Sequence, residues 1–142
     1  MAALKEYFFV DMGLRNARLS FRQMEQTHIM ENIIYNELRM RGYSVDVGAV
    51  EKRGKESGKD YRKWLEVDFV ANLGSTRFYI QSALQLPDAE KIAQETASLN
   101  EIRDSFKKIV LVRDAVKTNR DENGILFMSV YDFLLNMNSL DW

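Results

Sequence analysis

Residues 109–112 read Ile-Val-Leu-Val, four apolar side chains in a row with no polar alternation. A strand of that kind hides both of its faces, so it belongs in the interior of a sheet with material packed on either side. The rest of the sequence supplies the cover. Over residues 27–41 the apolar positions Met30, Ile33, Ile34 and Leu38 recur at spacings of three and four. This predicts a helix with one buried face, Thr27 as its N-cap and Gly42 just past its end. Pro87 and Asp88 open a second helix, with Asp88 as cap and Ile92, Ala93, Leu99, Ile102 and Phe106 on its buried side. Between the two helices, Tyr43, Val45 and Val47 alternate with Ser44, Asp46 and Gly48, and residues 65–71 and 77–84 are two further β-rich runs joined by a turn over 72–75.

At the ends, residues 5–10 (KEYFFV) read as a strand and 14–19 as a short helix, while Asn123-Gly124 marks a turn before a strand at 125–130 and a helix at 131–137. The predicted order is β-α-β-β-β-α-β-β-α, a mixed α/β (α+β) sheet flanked by helices. Residues 1–142 are the length of one domain, with 1–26 as a junction segment and 27–142 as the core.

Charge and composition remove several function classes. With 20 Lys+Arg against 21 Asp+Glu, the net charge is -1, so no whole-molecule basic field exists and any nucleic-acid contact must come from a local patch. The absence of Cys excludes disulfides and cysteine zinc sites. No apolar run reaches the length of a membrane span, and no signal peptide is legible, so the cytoplasm is the expected compartment.

Two regions carry chemistry. Glu66 and Asp68 are two apart in a strand, so strict alternation sends both carboxylates to one face and Val67 and Phe69 to the other. Pairing through the 72–75 turn brings Asp68 near Gln81, with Ala83 on the face of Gln81, the layout of a sheet-borne metal site. The second region, residues 51–63 (EKRGKESGKDYRK), holds six basic and three acidic residues, a local charge of +3. As a hairpin loop it offers Lys52, Arg53, Lys55, Lys59, Arg62 and Lys63 to phosphates, with Tyr61 or Trp64 for stacking. The interspersed acids favour a solvated hairpin over a DNA contact. Its Gly54–Asp60 run has the wrong spacing and terminal residue for a phosphate-binding loop, and no other such motif occurs, so no ATP site is expected in this chain. His28 is the only histidine and has no partner of its kind for zinc.

The helix ENIIYNELRMRGY from Glu31, the strand EVDFVA from Glu66, the strand YIQSA from Tyr79, Glu95, and DSFKKIVLVRD from Asp104 resemble, in order and spacing, the C-terminal domain of unknown function of prokaryotic AAA-type P-loop ATPases. The opening YFFVDMGLR from Tyr7 is similar to the junction that follows a winged-helix segment in those proteins. The resemblance implies a restriction-endonuclease-like PD-(D/E)XK fold, a parent protein supplying ATPase and winged-helix parts in cis, and a chain that is a piece of it. It places a helix carboxylate at Glu31, a metal-binding Asp at Asp68, an acid at Gln81 and a Lys at Ala83. Two of those four positions depart from the nuclease pattern. Cleavage of a phosphodiester requires Mg²⁺ or Mn²⁺ held by carboxylates and a cation beside the attacking water. Gln81 offers only a neutral oxygen and Ala83 no proton transfer, although Lys91 is available as a relocated ammonium. The expected function is therefore a non-catalytic accessory domain for recognition or assembly, with a divalent-metal nuclease using Glu31 and Asp68, and a DNA-binding module using the 51–63 loop, as the alternatives.

Overall fold

A computed structural model describes residues 2–4, 8 and 26–142. The expected helix at 14–19 and, apart from Phe8, the expected strand at 5–10 lie outside the described residues. The elements are β1 (Ala2–Leu4), α1 (Gln26–Met40), β2 (Ser44–Glu56), β3 (Lys59–Leu73), β4 (Thr76–Ala83), α2 (Ala89–Glu101), β5 (Lys107–Val112), β6 (Asn119–Arg120), β7 (Leu126–Ser129) and α3 (Val130–Leu135), followed by a 3₁₀ turn (Ser139–Asp141). They form a mixed α/β fold whose sheet runs β1-β2-β3-β4-β5-β7-β6. Strands β1 to β4 pair antiparallel, β4, β5 and β7 are parallel, and β6 returns antiparallel to β7. Among the described residues no helix is long and apolar enough to cross a membrane.

The run at 109–112 forms the middle of β5 and is buried on both faces. Ile109 and Leu111 pack with Met30, Ile34 and Leu38 of α1 and Phe133 of α3, while Val110 and Val112 pack with Leu99 of α2 and the adjoining Ile102. Asp88 caps α2 as expected, accepting from the Lys91 backbone N–H at 2.8 Å. Gly42, two residues past the end of α1, takes φ +93, the left-handed conformation that suits glycine at a helix end.

Several expectations are corrected. Helix α1 begins at Gln26, which puts Thr27 inside its first turn instead of at its cap. Ile33 sits at the exposed edge of α1's apolar stripe, 37% accessible. Helix α2 buries Thr96, Ser98 and Leu99, whereas Ile92 and Ala93 are exposed because the helix meets the sheet only in its second half. Phe106 falls beyond that helix, and α3 starts one residue early, at Val130.

The largest revision concerns residues 51–63, which are strand and not loop. Pairing continues from Glu51↔Trp64 to Glu56↔Lys59, so β2 and β3 extend as one long antiparallel arm. The arm is closed by Ser57 (φ 51) and Gly58 (φ 76), a two-residue turn with both φ values positive, whose twist matches that of the flanking strands. Nearer the core, Asp46 pairs with Val70 but Gly48 with Val67, so Val47 alone faces both Asp68 and Phe69. That extra residue is a β-bulge, and it breaks the strict alternation assumed for β3. Val67 packs on the α2 side and Phe69 on the α1 side, instead of sharing a face.

The C-terminal segment is clamped onto α1 by Arg41. Its Nε donates to Glu37 Oε1 at 2.7 Å, and Nη1 donates to the Met137 carbonyl at 3.2 Å and to Ser139 Oγ at 3.1 Å. Nη2 donates to the Phe133 carbonyl, and the guanidinium lies 4.4 Å from the Phe133 ring centroid. Both charged side chains are almost fully buried.

Candidate functional site

The bulge determines how Asp68 is presented. Its Oδ2 accepts from the Ser82 backbone N–H and from Ser82 Oγ, both at 2.8 Å, while its own backbone N–H donates to Gln81 Oε1 at 3.1 Å. The sequence therefore placed Asp68 beside Gln81 correctly, but the partner of the carboxylate is Ser82. Alternation along an unbulged β3 hides that contact, and no local motif signals it. Burial pushes the Asp68 carboxyl up to about 7; the two donors from Ser82 act in the opposite sense, and the charges of Glu31 and Glu66 add to the rise.

Glu31 lies on α1 with Oε2 3.2 Å from His28 Nδ1. Burial raises its pKa, His28 opposes that rise, and the Glu66 charge reinforces it. Glu31, Glu66 and Asp68 thus share the α1 side of the sheet, and the charge of Glu66 reaches both Glu31 and Asp68. Yet among the described residues no group of three or more His, Cys, Asp and Glu is placed to hold a metal ion. A divalent ion, which the nuclease resemblance implies, needs several converging oxygens. Here one carboxylate oxygen is already committed to two donors, Gln81 is committed to the Asp68 N–H, and Glu66 is exposed. The residues present do not fit the metal.

The other two positions of the pattern lie on the opposite face. Ala83 is 4% exposed and packs in the cluster with Tyr79, Leu99 and Val112, and Gln81 shares its face by alternation along β4. At the carboxyl end of β4 an open cleft of about 520 Å³ is lined by Ser82, Ala83, Asp88, Lys91 and Glu95, among others. Lys91 reaches this cleft, but its Nζ pairs with Glu95 Oε1 at 2.5 Å, one helical turn away.

In the arm, the register places Glu51, Arg53 and Lys55 on one face with Trp64, Arg62 and Asp60, and Lys52, Gly54 and Glu56 on the other with Lys63, Tyr61 and Lys59. Glu51 takes Arg53 Nη2 at 2.9 Å and also contacts Arg62 Nε. The hydrogen bond from Arg53 holds the Glu51 carboxyl below its ordinary pKa. Lys52 approaches Glu101 of α2 at 3.8 Å, and Lys55 approaches Asp60 at 3.9 Å. Lys63 sits 5.9 Å from the Tyr61 ring centroid, and Arg62 lies 5.7 Å from that of Trp64, a side chain that is 54% exposed. The six basic residues of 51–63 are therefore divided between the two faces of a paired two-stranded ribbon.

The chain is similar to an uncharacterized protein of Haemophilus influenzae, 33% identical over 130 residues that cover 92% of this chain. It spans only 28% of the length of that relative. No family model matches the chain, and no solved structure matches it.

Proposed function

We propose that the chain is a non-catalytic, restriction-endonuclease-like domain that serves a larger AAA-type ATPase as a C-terminal accessory module for recognition or assembly. The observation that carries the reading is the commitment of the β4 positions to the fold: Gln81 accepts the Asp68 backbone N–H just past the end of the β3–β4 register, and Ala83 fills the α2-side core. A nuclease needs charge at both places, an anion for the metal and a cation for the water, and losing such a proton-transfer group costs about 10² to 10⁴ in rate. The order of helix, antiparallel meander, crossover helix and parallel strand agrees with the endonuclease-like arrangement. The match to little more than a quarter of a longer relative agrees with an accessory module.

Cleavage assays with Mg²⁺ and with Mn²⁺ on single- and double-stranded DNA and RNA test the reading. The expected result is no product above the metal-free background. Metal-dependent cleavage that disappears in Asp68→Ala overturns it.

A further inference from the structure

We propose that the α1-side face of the β2–β3 arm is a binding platform for single-stranded nucleic acid, with Trp64 stacking on a base and Arg53, Arg62 and Lys55 meeting phosphates. The face extends from the carboxylates toward the tip in one line along β3: Asp68, Glu66, Trp64, Arg62, Asp60. Same-face neighbours are spaced by about 6.6 Å, two strand residues, so the cations begin roughly 20 Å from Asp68. Trp64, 54% exposed at the base of the arm, belongs to neither hydrophobic core cluster of the described residues. Arg62 lies against its ring and keeps one side of the aromatic flanked by positive charge. An exposed ring with a guanidinium toward the arm's tip suits a base whose phosphate lies on the Arg62 side, away from Glu66.

The proposed face sets Arg53, Lys55 and Arg62 against Glu51 and Asp60, a local excess of positive charge on a chain whose net charge is -1, so an anionic strand is drawn to this element and not to the molecule at large. The two arginines are held in place by Glu51 in the free protein. This orders both donors before binding, and it makes Glu51 a competitor that a phosphate must displace. A duplex is disfavoured as occupant, because stacking on Trp64 requires a base out of its pair. The surface stands apart from the proposed loss of cleavage, since nothing in it requires a metal.

The test is a fluorescence-anisotropy titration of the 142-residue chain with a labelled oligothymidylate of about 12 nucleotides in EDTA, within the range of single-strand site sizes. Contacts to about three phosphates give a slope of log affinity against log salt near -2 between about 50 and 200 mM. Trp64→Ala should weaken binding about 5- to 150-fold, the loss of one stacked base, and Trp64→Phe should recover much of it. Glu51→Gln should tighten binding by freeing both guanidinium groups, the opposite of what damage to the fold produces. No binding at low salt, a flat salt response, an unchanged affinity in Trp64→Ala, or equal binding of polyglutamate would each overturn the proposal. Because EDTA removes divalent ions, a metal-dependent nuclease activity found elsewhere would leave this result readable on its own.

Discussion

Replacing Gln81 with Leu removes the oxygen that accepts the Asp68 N–H, which lies one residue past the Phe69↔Ile80 end of the β3–β4 register. An unsatisfied donor costs about 1–3 kcal/mol when buried, and the half-buried setting of Asp68 places the loss near the lower end, about 1–2 kcal/mol. With an unfolding entropy of about 2.1 cal/mol/K per residue, that loss lowers the melting temperature by roughly 3–7 °C. Gln81→Glu keeps an oxygen acceptor but adds a carboxylate beside one already pushed up to about 7. It should melt near the parent in mild acid and fall behind as pH rises past neutral. Circular dichroism melts of the three proteins across pH decide the matter. Gln81→Leu melting within about 1 °C of the parent would refute the structural role of the amide and reopen Gln81 as a free ligand.

Asp68 gives a second pH test. Its raised pKa means the folded chain holds a proton that the unfolded chain has lost, so this stability is present below about pH 4 and is lost as pH rises to about 7. Asp68→Asn should flatten that slope in urea titrations, and an unchanged slope would show that Asp68 is ionised throughout. Arg41→Met leaves Glu37 buried without its partner and should cost about 3–5 kcal/mol, while adding Glu37→Leu should restore most of the loss, as a urea double-mutant cycle would reveal. Asp88→Ala removes the α2 cap and should cost about 1 kcal/mol, measured by the same titration.

What the sequence could disclose follows from which residues touch the core. The four apolar residues of β5, the face of α1 through Met30, Ile34 and Leu38, and the Asp88 cap were all legible, because burial imposes a period and a cap needs only one side chain. The arm was not legible, because its residues pack on no core: Lys52 to Lys63 carry the composition of a loop, and only their cross-strand pairing makes them strands. At the site, the nearness of Asp68 to Gln81 followed from the turn. The contact with Ser82 did not, because a single bulge residue reverses the parity of every position beyond it. Ile92 and Ala93 fit the apolar face of α2 in sequence but lie where that helix has not yet reached the sheet.

A calorimetric titration with Mn²⁺ at neutral pH asks whether this site holds a metal at all, because every route to cleavage here begins with a metal held by Glu31 and Asp68. The arrangement of Asp68 with Ser82, Gln81 with the Asp68 N–H, and Ala83 in the core predicts no saturable heat up to millimolar metal. A saturable isotherm that vanishes in Asp68→Ala would contradict it.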